Sequence, residues 1–159
     1  MNERVVRPAL LATLGMLALG LLAVATRLPL LFPAIGASAA VMAFTPGAPA
    51  ARPRNCLLGH AIGAGIGWLC VQTIAGGLPH ALSSGLEWPW MLSGAIALGL
   101  TVGILLALDL PHPPAAATTM IVGMGLLPQL WQVLALVASA ALTAGAAHLI
   151  QRVRLRTTP

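Results

Sequence analysis

Two short apolar segments, each headed by proline and each set between longer apolar runs, constrain this chain more than any other feature. One reads Pro33-Ala34-Ile35-Gly36-Ala37-Ser38-Ala39-Ala40, and the other Pro113-Pro114-Ala115-Ala116-Ala117-Thr118-Thr119-Met120. The long runs cover about 8–26, 56–78, 90–110 and 129–150; the short ones cover about 30–44 and 114–127. A helix of about 15 residues rises only ~22 Å, against a hydrocarbon core of ~30 Å. Paired short segments at matching places in two halves of a membrane protein point to where a solute binds.

Composition sets the class. The chain is 58% hydrophobic and 7% charged, and a soluble domain of this length needs far more charge to cover its surface. Apolar runs of spanning length recur throughout, which reads as an integral membrane protein with a single domain over residues 1–159. All basic residues are arginines, and the acids are only Glu3, Glu87 and Asp109. The arginines sit at segment ends rather than in a stripe interleaved with aromatics, so nucleic acid is not an expected partner. The first residues resemble a signal peptide, but the run 8–26 is long enough to read as a retained first helix. Cys56 and Cys70 are too few for a disulfide framework.

The arginines choose between crossing and re-entry for the short segments. If these cross, Arg4, Arg7, Arg52, Arg54, Arg152, Arg154 and Arg156 share one side, the cytoplasm, and only Arg27 lies outside. If they dip in and return, Arg52 and Arg54 join Arg27, and the bias weakens. Crossing also gathers Trp88, Trp90 and Trp131 at the outer interface, where indole rings prefer to sit. The expected fold is therefore an all-α polytopic membrane helix bundle of six membrane segments, four long and two short and proline-led. Both termini are expected in the cytoplasm, and the location is a bacterial cytoplasmic (inner) membrane. Three crossings per half make two inverted three-helix repeats, about 8–78 and 89–151. Setting Pro33 against Pro113 pairs Gly36 with Ala116, Ala37 with Ala117, Ser38 with Thr118 and Val41 with Ile121. Gly59, Gly63 and Gly67, and likewise Gly99 and Gly103, have the spacing of close helix contact, in the bundle or in a homo-oligomer.

The expected chemistry lies at the proline-led helix starts. Proline pre-sets the first turn, the next N–H groups lack intrahelical partners, and the helix dipole adds positive charge there. Ser38 and Thr118 or Thr119 add hydroxyl donors in the next turn. Two such starts approaching from opposite faces would hold a small anion without a buried lysine or arginine. The candidate substrate-binding residues are Gly36, Ala37, Ser38, Ala39, Pro113, Pro114, Ala116, Ala117, Thr118 and Thr119. His60 and His112 are candidates for proton coupling, because histidine titrates near neutral pH. Asp109 ends an apolar run and needs a partner, for which Arg52 or Arg54 is the natural choice. Arg54 and Asn55 join the histidines and Asp109 as candidate gating residues. His80 and His148 read as interfacial or core positions.

These residues carry a family resemblance. His112-Pro113-Pro114 followed by small residues, with Gly36-Ala37-Ser38-Ala39, the stretch Pro46-Gly47-Ala48-Pro49-Ala50-Ala51-Arg52-Pro53-Arg54-Asn55 and Gly59-His60, resembles the HPP family of integral membrane proteins. The resemblance runs from about Phe32 to the last segment. It implies a membrane protein usually described with four spans, and for some plant and cyanobacterial relatives an association with nitrite transport.

Three functions are weighed. The leading one is a transporter or channel for a small inorganic anion, nitrite first, with the anion and the lipid bilayer as partners. The second is an intramembrane enzyme using His60, His112 and Asp109 around a metal. No nucleophile stands beside a base in the sequence and no spacing such as H-E-x-x-H occurs, so neither enzyme activity nor a metal or other cofactor is expected. The third is a subunit of a membrane complex without transport of its own.

Overall fold

A computed structural model describes residues 2–76, 83, 85 and 87–157. His80 and the end of the first expected repeat, at 77–78, lie outside the described residues. The fold is all-helical, with no strand among the described residues. Four helices have the length and apolar composition to cross a bilayer: α1 (Glu3–Thr26), α3 (Pro53–Ile74), α4 (Trp88–Ala107) and α6 (Leu130–Thr157). Between them lie two short apolar helices, α2 (Pro33–Phe44) and α5 (Pro114–Gly123), and one turn of 3₁₀ helix at Pro49–Ala51.

Proline opens α2, α3 and α5, where its missing N–H forfeits no helical bond. With 12 and 10 residues, α2 and α5 rise only ~18 and ~15 Å, shorter than a hydrocarbon core of ~30 Å. Each starts after a linker that follows a long helix. The linkers turn at Arg27 and Asp109, both in the left-handed region with φ of 57° and 52°. A non-glycine residue there is uncommon and turns the chain sharply. Each linker then buries a leucine, Leu30 or Leu110.

Contacts along α3 give the direction of α5. Gly59 faces His112 and Ala115, Gly63 faces Ala115 and Thr119, and Gly67 faces Thr119, Val122 and Gly123. The two helices therefore run the same way, with α5 starting well below the first turn of α3. Beyond α5, Leu126 packs with Ala75, Trp90 and Val71 at the far end of α3. The segment thus advances along α3 toward its far end.

Glycine on α3 permits this approach. A Cβ on Gly63 would lie 2.5 Å from Thr119 Oγ1 and 2.9 Å from the Ala115 carbonyl. The close spacing expected of Gly59, Gly63 and Gly67 is thus used within the chain, whereas Gly99 and Gly103 face outward with open space around them.

Helix α3 is central and packs on α4, α5 and α6; α2 packs on α5 and α6; α1 packs on α2 and α6. Only 6% of the α1 span is buried, against 33% of the spans in α3, α4 and α6, so α1 lies at the edge. One expected position is corrected. Trp88 and Trp131 are exposed, but Trp90 is 2% exposed and turned into the bundle against Ala75. One residue separates Trp88 from Trp90, and on a helix that places them on opposite faces.

Candidate functional site

A buried polar cluster sits where α2, α3 and the start of α5 meet. Ser38, His60, His112 and Thr118 are at most 2% exposed. Ser38 comes from the second turn of α2, His60 from the third turn of α3, His112 from the linker before α5, and Thr118 from α5. Ser38 Oγ is 2.7 Å from His60 Nε2 and 3.0 Å from His112 Nε2. His60 Nδ1 is 2.6 Å from Thr118 Oγ1, and His112 Nδ1 is 2.8 Å from the Ala50 carbonyl. The imidazoles meet edge to face with centroids 5.1 Å apart.

Donors and acceptors follow from the Ala50 end. A carbonyl only accepts, so His112 Nδ1 donates to Ala50, and neutral His112 offers Nε2 as an acceptor. The Ser38 hydroxyl donates to that nitrogen, so its oxygen accepts from His60 Nε2–H. His60 Nδ1 is then left to accept from the Thr118 hydroxyl. With neutral rings, the four bonds run in one direction from Thr118 to Ala50 and leave none of the four ring nitrogens unpaired. The Ala34 carbonyl, 3.2 Å from Ser38 Oγ, is an alternative acceptor for the serine proton. A cluster satisfied in this way is compatible with deep burial, and a half-satisfied one is not.

Local sequence explains how the groups are held. Asn55 is buried and its Nδ2 donates to the Pro49 carbonyl at 3.0 Å, tying the Pro49–Ala51 turn to the start of α3. That turn carries the Ala50 carbonyl that orients His112. Asn55 therefore acts through another residue. Burial pushes His112 below its ordinary value, while the Ala50 bond pulls the other way.

The other expected site residues divide by face. Pro114 and Thr119 are buried, Gly36, Ala39 and Ala116 are half-buried, and Ala37, Ala117 and Pro113 are exposed on the outer side of their helices. Thr119 turns toward α4, with its hydroxyl 3.1 Å from Thr101 Oγ1 and 3.0 Å from the Ala115 carbonyl. Most first-turn amides are already engaged. Ile35 and Gly36 N–H donate to Phe32, Ala115 N–H to His112 and Ala116 N–H to Pro113. The donors concentrated at this point are therefore side-chain hydroxyl and imidazole groups more than bare backbone amides. Asp109, Arg52 and Arg54 are all exposed, and the expected tie between them is absent among the described residues.

Sequence reasoning passed over Cys56. Its thiol is buried beside the cluster and interacts with the Ser38 hydroxyl. The spacing Cys56–His60 already placed the two on one face of α3. The structure also sets a hydroxyl beside an imidazole base, an arrangement that the linear sequence does not display. Two apolar grooves flank α1 and α2, one of about 340 Å³, and neither is lined by Ser38, His60 or His112.

Comparison with known proteins places the chain in a family. No curated protein and no solved structure matches the chain. A family model described as "HPP, transmembrane region" matches residues 2–159, so the motifs that meet in the cluster sit in a multi-pass membrane protein that belongs to the HPP family.

Proposed function

We propose that this protein is a transporter or channel for a small inorganic anion, with nitrite as the leading substrate. The observation that carries the reading is convergence. Gly-Ala-Ser on α2, Gly-His on α3 and His-Pro-Pro before α5 are far apart in sequence, yet their Ser38, His60 and His112 side chains form one buried cluster. Thr118, the residue aligned with Ser38 in the other half, binds the opposite nitrogen of the same imidazole. Ser38 and Thr118 correspond when Pro33 is set against Pro113, which supports reading the two halves as an inverted repeat. Short helices meeting inside the membrane are where transporters of repeat architecture bind solutes.

In the described arrangement the cluster is closed, with each donor serving another member. Passage of an anion requires α2 to part from α5, so that the Thr118 hydroxyl, the His60 Nε2–H and the Ser38 hydroxyl exchange internal acceptors for anion oxygens. Nitrite, small and with two acceptor oxygens, suits donors that are few and close together. Helix α1 is lightly packed and contacts α2, which makes the α1–α2 pair the natural moving part. Hydrolytic use of Ser38 fits less well. Neither flanking groove reaches it, and the nearby first-turn amides that would form an oxyanion hole are already bonded. We place both termini in the cytoplasm of a bacterial cell, on the arginine bias.

The test is flux into proteoliposomes with nitrite, nitrate, formate and chloride as separate substrates. Ser38→Ala and Thr118→Ala should each lower uptake while the protein stays folded. Unchanged flux in both variants would overturn the site, and absence of flux for every anion would overturn the function.

A further inference from the structure

We propose that Cys56, His60 and His112 form a binding site for a thiophilic transition-metal ion, zinc(II) foremost, with the Ser38 hydroxyl now standing near the position the ion would take. The three potential ligand atoms are buried and lie within 4.8 Å of one another. At Zn–N of about 2.0–2.1 Å and Zn–S of about 2.3 Å, tetrahedral ligands stand roughly 3.3–3.6 Å apart. The observed spacing therefore closes by side-chain rotation of about an ångström.

The orientation of the rings is a stronger argument than their proximity. Both imidazoles point Nε2 at a common spot, marked by Ser38 Oγ at 2.7 and 3.0 Å. Each holds its other nitrogen in a hydrogen bond on the far side, His112 to the Ala50 carbonyl and His60 to the Thr118 hydroxyl. A metal-binding histidine is oriented in this way, with the distal N–H given to a carbonyl or hydroxyl so that the proximal nitrogen is free to coordinate. His112 already has this tautomer. His60 reaches it by moving its proton from Nε2 to Nδ1, whereupon Thr118 becomes the acceptor. The Cys56 thiol, one helical turn before His60, completes the set from the third direction.

Ser38 is compatible with the ion. Its oxygen stays in place as a fourth ligand, because its proton can turn to the Ala34 carbonyl at 3.2 Å and leave a lone pair for the ion. The donor set selects the ion, since sulfur with two imidazole nitrogens suits zinc or copper(I) and not magnesium or calcium, which require oxygen. Binding releases the thiol proton to solvent, so zinc with one thiolate carries a net charge of about +1. On the transport reading, that charge would supply the attraction for an anion that the engaged amides do not. Metal binding itself does not depend on that reading.

The experiment uses full-length protein in detergent, stripped with chelator and then equilibrated with zinc(II), cobalt(II) or copper(I). One ion per chain is expected, with thiolate-to-cobalt charge transfer in the cobalt arm. Cys56→Ser should abolish that band, and Cys56→Ser and His112→Gln should each weaken zinc binding by at least about 10–100-fold. Cys70→Ser should leave both unchanged. Should the ligand variants fail to fold, the Cys70→Ser protein offers a second readout. Zinc at about ten times its Kd should slow alkylation of its single cysteine about tenfold. No stoichiometric ion, a charge-transfer band that survives Cys56→Ser, or no protection of Cys56 would overturn the site. Flux is measured separately, so loss of transport with metal binding intact tells against the transport reading alone.

Discussion

Ser38→Ala tests the direction of the hydrogen-bond chain. The hydroxyl accepts from His60 Nε2–H and donates to His112 Nε2, so its removal leaves one donor and one acceptor unpaired at sites at most 2% exposed. A buried orphan costs about 1–3 kcal/mol, which gives about 2–6 kcal/mol for two. Hydrogen bonds between membrane helices average nearer ~0.6 kcal/mol, because the unfolded chain in a membrane also finds partners, and this lowers the floor to about 1 kcal/mol. Thr118→Val preserves shape and orphans a single acceptor, His60 Nδ1. The ratio is therefore more secure than either value, and Ser38→Ala should cost about twice as much as Thr118→Val. The assay is reversible denaturation in mixed micelles, with both variants and their combination. In the combination His60 loses partners on both nitrogens, so the effects should not add. A smaller loss from Ser38→Ala than from Thr118→Val, or strict additivity, would refute the assignment of Ser38 as the link between the two rings.

Two further predictions concern packing and pH. Gly63→Ala should destabilise by up to about 2 kcal/mol, since overpacking costs about 1–3 kcal/mol and alanine returns about 1 kcal/mol of helix propensity. Gly99→Ala, with open space around it, should be neutral or stabilising, and the pair of melting curves checks the α3–α5 approach. Because burial favours neutral His112, the unfolded chain protonates first as the pH falls. Its contribution to stability is full above its ordinary value of 6.5 and declines below it. Thermal unfolding should therefore shift downward between about pH 8 and pH 5, and His112→Gln should reduce that dependence.

The helices themselves were legible before any coordinates. Apolar runs of spanning length and proline at segment starts are local properties, and both act on the chain wherever it goes. The long–short–long order and all six helices follow from them, with ends displaced by a few residues where caps and turns decide. Ser38, His60, His112 and Thr118 could also be singled out, since polar side chains stand out in so apolar a chain. Their meeting could not, because the contacts join residues 22, 74 and 58 positions apart, and hydropathy carries no distance information of that kind.

Some local inferences gave way to packing and solvent. Asp109, Arg52 and Arg54 stay exposed and unpaired with one another, and Trp90 turns inward because the helix phase, not the interface preference of indole, sets its direction. Cys56 shared a helix face with His60 by spacing alone, but it joined His112 and Ser38 only when α2 and the α5 linker were packed against α3. Sequence alone thus determined the solvent of this protein, its helices and the breaks between them, because these follow from the free energy of each segment in water or lipid. Only the tertiary structure decided which nitrogen faces which hydroxyl, because that depends on how closely three helices approach, and the glycine face of α3 permits the separation at which those atoms meet.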